Sequence, residues 1–186
     1  SNVILLAGLV GDPITKKYPS EAAKINDEGV KNVVNFCARQ MDRFVFVSTC
    51  SNYGLIENDE IVDENFVLNP LSSYAKSKVK AEKHILSLEQ FSDTCSTILR
   101  FATAFGLSPR MRFDLTVNEF TRDLAMSKEL LVFDAHTWRP YCHVQDFARL
   151  IQKVMEAPKE KIANQVFNAG GDSNNYTKQM IVVEIQ

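Results

Sequence analysis

The feature that most constrains this chain is a rhythm in which short apolar, β-branched or aromatic runs alternate with longer segments of helical periodicity. The runs are VILLA (3–7), RFVFVS (43–48), CSTILRF (95–101), LLVF (130–133) and QVFNA (165–169). Apolar on successive residues, they read as strands covered on both faces. Between them, residues 20–40, 72–91, 115–127, 144–156 and 177 onward carry apolar side chains at three and four spacing. Strand, helix, strand, helix in that order predicts an α/β fold built on a doubly wound parallel sheet. Ligands of such sheets sit beyond the carboxyl ends of the strands, so the residues just after each run are the candidates for chemistry.

Composition narrows the function classes. With 186 residues and 45% hydrophobic content, the chain can bury a substantial core, and its length suits one domain, or one domain and part of another. The formal charge of -2, with acids and bases interspersed, gives no basic footprint for nucleic acid or for an anionic membrane surface. Cys37, Cys50, Cys95 and Cys142 are widely spaced and form no Cys-x-x-Cys. They predict neither a disulfide framework nor a metal site, and point to a reducing, cytoplasmic compartment. His84 and His136 have no partners in sequence that suggest a metal, and His143, just before a helical segment, reads as structural. The opening SNVILLAGLVGD is too short to span a membrane and lacks the basic flank of a signal peptide. A chain that opens on a buried-strand pattern and stops inside the amphipathic NYTKQMIVVEIQ is expected to be a fragment.

The richest strand end is STCSNYG, residues 48–54, a cluster of hydroxyls followed by a turn. Small polar residues there can simply satisfy loop backbone groups. Downstream, however, Tyr74 stands at the start of the next helical segment with Lys78 one turn later on the same face. A free phenol has a pKa near 10 and is a poor base at neutral pH. A neighbouring ammonium favours phenolate, and a Thr49 hydroxyl could hold the reacting oxygen, so the set suits moving a proton together with a hydride. Arg110 and Arg112 in SPRMR read either as a phosphate clamp or as a solvated edge. The acidic stretch of residues 54–73 is long enough for a lid or a surface excursion.

Four blocks, FVFVSTCSNYG, NPLSSYAKSK, ILRFATAFG and WRPYCHVQDFARLI, occur in the order and spacing of the extended short-chain dehydrogenase/reductase family, and the chain resembles its nucleotide-sugar epimerase and dehydratase branch. The resemblance implies a Rossmann-type domain holding NAD, with NADP as the other possibility, over residues 1–106. It implies a smaller, C-terminally truncated region for a nucleoside-diphosphate sugar over residues 107–186, interleaved with late Rossmann elements. Thr49, Tyr74 and Lys78 match the catalytic triad. Leu6, Ala7 and Gly8 match the strand end that passes the cofactor, Asn26 the asparagine supporting it, and Ser48, Tyr74 and Lys78 complete the cofactor contacts. Asn118, Phe133 and Arg139 match sugar-nucleotide contacts, with Arg139 on the diphosphate and Phe133 against the base, and Thr103 stands where the family often has Asn, as a weaker substrate contact. Arginine suits that task because its planar fork binds phosphate bidentately. A homodimer is also implied by the resemblance.

The chain departs from the family pattern in two consequential places. The Gly-x-x-Gly-x-x-Gly turn that anchors the cofactor pyrophosphate is absent; the family places it upstream of residue 1, so these residues alone are expected to bind NAD poorly. After Thr49 come Cys50 and Ser51 where dehydratases of the branch carry an acid, which disfavours elimination of water. The resulting expectation is a C4 epimerase working through a transient 4-keto sugar. The alternatives are a nucleotide-sugar 4-ketoreductase and a non-catalytic nucleotide-sugar-binding fragment.

Overall fold

A computed structural model describes residues 1–56, 60–89 and 93–186. In chain order the elements are β1 (Asn2–Leu5), α1 (Asp12–Lys17), α2 (Pro19–Ala22), a π-helical stretch (Ala23–Gly29), α3 (Val30–Cys37) and β2 (Arg43–Thr49). A 3-10 turn (Cys50–Tyr53), α4 (Ser73–Ser87), β3 (Cys95–Phe101), β4 (Thr103–Phe105) and α5 (Thr116–Ala125) follow. The last elements are β5 (Trp138–His143), α6 (Val144–Glu156), α7 (Lys159–Ile162), β6 (Gln165–Ala169), β7 (Asn175–Thr177) and α8 (Lys178–Ile185), with a short 3-10 turn before β7. Two compact units result, one of residues 1–100 and 153–168, the other of residues 101–152 and 169–186.

The first unit is a parallel sheet with flanking helices, in strand order β1-β2-β3-β6. β1 and β2 pair in parallel, with Val3 opposite Phe44 and Leu5 opposite Phe46. Phe44, Val45, Phe46, Ile98 and Leu99 are all buried, so β2 and β3 are covered on both faces as expected of central strands. β1 differs: it lies at the edge of this sheet and Ile4 is exposed, so its apolar run is not evidence of two-sided burial. The core gathers Leu5, Val30, Val34, Cys37, Phe44, Phe46, Ala81, Ile85 and Ile98, joining the face of α3 and the face of α4 to the sheet. α4 begins where its sequence predicts, because Ser72 Oγ accepts a hydrogen bond from the Ala75 N–H at 3.1 Å and so caps the first turn. It ends at Ser87; Phe91, the expected last residue, lies outside the described residues.

The second unit holds the three-stranded sheet β4-β5-β7, parallel between β4 and β5 and antiparallel between β5 and β7. Its core is Phe120, Tyr141 and Ile181, with Phe105, Val117, Leu130, Val132, Tyr176, Val182 and Ile185 packed around them. The expected strand at residues 130–133 is not formed. Leu130 and Val132 turn into the core while Leu131 and Phe133 are exposed, so the segment alternates like a strand but pairs with none. β4, β5 and β7 were not foreseen. β5 contains Pro140, which has no N–H to give to a ladder and hides a strand from pattern reading. Among the described residues no helix is long and apolar enough to cross a membrane.

Candidate active site

The end of β2 and the first half of α4 bring the expected pair together. Lys78 is buried, and its ammonium donates a 2.7 Å hydrogen bond to the Val47 carbonyl. It lies 4.5 Å from the centroid of the Phe46 ring and 5.8 Å from that of Tyr74. Aromatic faces are favourable seats for a desolvated ammonium. Tyr74 itself is half-buried one turn earlier on the helix. Thr49, two residues beyond Val47, is nearly buried, and its Oγ1 accepts from the Ser51 N–H at 3.2 Å. That bond uses the oxygen as an acceptor and leaves its O–H to donate, which is what holding a substrate oxygen requires.

Burial pushes the Lys78 pKa down to about 8 from 10.5, with the Glu82 carboxylate opposing the shift. The folded protein therefore binds this proton more weakly than the unfolded chain does. Charged Lys78 is a cost to stability of about 3 kcal/mol that is fully present below the folded pKa and is released as pH rises from about 8 toward 10.5. Wild type should accordingly gain up to about 3 kcal/mol relative to Lys78→Met across that window in urea unfolding. A gap between the two proteins that stays constant with pH contradicts this.

The strand end after β1 is braced by Asn26. Leu9 N–H donates to Asn26 Oδ1 at 2.8 Å, and Asn26 Nδ2 donates to the Leu9 carbonyl at 2.9 Å. Asn26 is buried in the π-helical stretch, a local widening of the helix of a kind that recurs at functional sites. A Cβ on Gly8 would come 3.0 Å from Asn26 Oδ1, a contact tight enough that a larger residue would press on the amide that braces this strand end. Leu6 and Ala7 are exposed. An exposed strand end pinned by a buried amide fits a dinucleotide passing over Leu6, Ala7 and Gly8, the cofactor position the sequence implies.

Ser48 is placed differently from its neighbours. Its side chain is buried and its hydroxyl donates to Glu82 Oε1, so the hydroxyl faces the interior rather than the surface at the strand end. Glu82 also accepts from Asn52 Nδ2 at 2.7 Å and from Arg100 Nη2 at 2.8 Å. Burial would lower the Arg100 pKa, but the hydrogen bond and charge of Glu82 outweigh it and raise it. Sequence reading missed this cluster. Two signals pointed to it: an arginine inside the strand-like CSTILRF, and a glutamate continuing the four-residue spacing of Tyr74 and Lys78.

In the second unit, Thr103 is half-buried in β4 and Arg139 half-buried in β5. Asn118 is buried and works on the backbone: it accepts from Gly106 N–H and donates to the Arg112 carbonyl, each at 3.1 Å. It thus sets the path of residues 106–112, and one amide proton is left for a ligand. Phe133 is 73% exposed, a free aromatic face. Arg112 is held by Asp114 at 2.6 Å, whereas the ion pairs among the described residues of this unit do not use Arg139. His143 is structural: it lies against Gly106, where a Cβ would meet its Nε2 at 2.2 Å, and its Nδ1 accepts from Gln145 N–H at the start of α6. None of the four cysteines is disulfide-bonded, and the described residues hold no cluster suited to a metal ion.

Comparison with known proteins decides the family. The family model described as "NAD dependent epimerase/dehydratase family" matches residues 1–170. The chain belongs to the NAD-dependent epimerase/dehydratase family. The uncharacterized UDP-glucose epimerase YtcB of Bacillus subtilis is 30% identical over 148 residues, covering 78% of this chain and 45% of that protein. UDP-glucuronate 4-epimerase 3 of Arabidopsis thaliana is 28% identical over 136 residues, covering 72% of this chain and 31% of that protein. The chain thus spans less than half the length of either relative. Among solved structures, MoeE5 in complex with UDP-glucose and NAD superposes with a TM-score of 0.85 at 25% identity, over 100% of this chain and 61% of that one. The Rossmann-like sheet and the Tyr74–Lys78 helix are therefore those of an epimerase/dehydratase family member.

Proposed function

We propose that the protein, at its natural length, is an NAD-dependent nucleotide-sugar epimerase acting at C4, with a uridine-diphosphate hexose or hexuronate as substrate. The observation that carries this reading is the buried Lys78 ammonium against the Tyr74 ring, fastened to the strand that ends in Thr49. Positive charge there favours the Tyr74 phenolate, which accepts the proton of the C4 hydroxyl as hydride leaves C4. Thr49 O–H donates to the same oxygen as it becomes a carbonyl. Bound NAD supplies the acceptor that takes up the hydride and gives it back. Return of hydride to the other face of the 4-keto sugar, with the proton restored by Tyr74, completes the inversion.

The substrate class is supported by the second unit. Arg139, in no ion pair among the described residues, suits a diphosphate, and the exposed Phe133 ring suits a nucleobase. The names of the relatives favour a uridine nucleotide and C4 chemistry. Cys50 and Ser51 after Thr49 offer no carboxylic acid for eliminating water, which separates this reading from dehydration. The test is to incubate the full-length protein and NAD with one pure UDP-hexuronate. Two C4 epimers at constant NAD are expected. A 4-keto sugar that accumulates with stoichiometric reduction of NAD to NADH, and no second epimer, would make the protein a 4-ketoreductase run in reverse instead.

A further inference from the structure

The ion pair of Glu82 with Arg100 takes no part in the proton transfer above, yet it is the most deeply buried charged group in the first unit, with Glu82 at 1% and Arg100 at 5% exposure. Replacing such a pair by apolar side chains would avoid the cost of desolvating two ions, so its presence calls for a role beyond filling space. We propose that Glu82 is a positioning residue for Tyr74 and Lys78, locking α4 against the end of β2 in one rotation and one register. The inference rests on the reading of Tyr74 and Lys78 as the acid/base pair.

Tyr74, Lys78 and Glu82 recur every four residues and so share one stripe of the helix. Lys78 is fastened to the Val47 carbonyl, and Glu82 accepts from the Ser48 hydroxyl and from Asn52 Nδ2. Two clamps one helical turn apart therefore close on consecutive residues of β2, immediately before Thr49. Rotating or sliding α4 would break a buried, charge-assisted bond at one clamp or the other. Arg100 neutralises the carboxylate from β3 through Nε and Nη2, at 3.2 and 2.8 Å.

The lock extends outward. Arg100 Nη1 donates to Tyr53 Oη at 2.8 Å and to the Glu64 carbonyl at 3.0 Å. Tyr53 O–H donates to Asn168 Oδ1 at 2.6 Å, and Asn168 N–H donates to Glu64 Oε1 at 2.7 Å. Glu64 is thereby tied to the same pair that orients the helix. The charged groups facing Glu82 are Arg100 from β3 and Lys78 from its own helix, and Arg100 in turn meets the Glu64 main-chain carbonyl.

The experiment is a pH titration of Tyr74 in full-length protein carrying 13Cζ-labelled tyrosine, with the Tyr74 resonance identified by its loss in Tyr74→Phe. Thermal unfolding of each variant checks that it is folded. Glu82→Gln is expected to raise the Tyr74 midpoint by about one pH unit, a tenfold change in ionisation constant, because α4 released from β2 carries the Lys78 ammonium away from the Tyr74 ring; loss of the carboxylate charge alone would lower the midpoint. Lys78→Met should raise it as well. A shift in Lys78→Met with none in Glu82→Gln overturns the positioning role and leaves the acid/base pair intact. No shift in either overturns the reading of the pair itself. If Glu82→Gln does not fold, the double substitution Glu82→Met with Arg100→Met replaces the ions by apolar groups. The same rise is expected there, and an unmoved midpoint overturns the proposal.

Discussion

On the proposed function, Tyr74→Phe in the full-length protein is expected to lower kcat by about 10²–10⁴-fold, the usual contribution of a positioned acid/base group. The substitution removes one oxygen and keeps the ring against which the Lys78 ammonium rests. Packing and the hydrogen bond from Lys78 to Val47 should therefore survive, and the loss should fall on kcat with KM little changed. Steady-state kinetics on a UDP-hexuronate checks the split. A variant that keeps more than about a tenth of wild-type kcat would remove Tyr74 from the chemistry, since a general base contributes at least about 10²-fold. A variant that loses activity through KM alone would reassign the phenol to binding.

Glu82→Ala should destabilise the first unit by about 3–5 kcal/mol, the range for removing one partner of a buried ion pair. The cost arises from what remains. Arg100, 5% exposed, would keep its charge while losing the carboxylate that its Nε and Nη2 now share. Ser48 Oγ and Asn52 Nδ2 would lose the same acceptor, and Asn52 Oδ1 is already without a partner among the described residues. Urea unfolding at neutral pH measures the difference. A loss below about 1 kcal/mol, the range of exposed pairs, would mean that water reaches this cluster and that its charges are not confined.

How far the sequence could be read follows from what each residue does locally. The central strands β2 and β3 were legible because burial on both faces leaves an unbroken apolar run, and α4 because Ser72 caps it and its apolar spacing is helical. Tyr74 and Lys78 were legible because four-residue spacing is itself the geometry of one helix face. The Glu82 cluster was hidden because a glutamate among the charged residues of KAEKH looks like solvated surface until Arg100, from a strand well downstream in the chain, is brought to it by the fold. Short strands such as β4 and β7 carry too few residues for a period to show, and β5 is masked by Pro140. Residues 130–133 show the reverse failure: alternation serves core packing there, with no ladder to join. The π-helical stretch leaves no trace in AKINDEG, where the partner of Asn26 is the backbone of Leu9, 17 residues away.

The central claim is that hydride leaves C4 of a nucleotide sugar and returns to it at the site organised by Tyr74 and Lys78. The most direct measurement is to incubate the full-length protein and NAD with UDP-hexuronate deuterated at C4, and to locate the deuterium in both epimers by NMR. Deuterium retained at C4 of the inverted product, with none in solvent, is the predicted result. Deuterium lost to water, or inversion at a carbon other than C4 with the C4 label undisturbed, would contradict it.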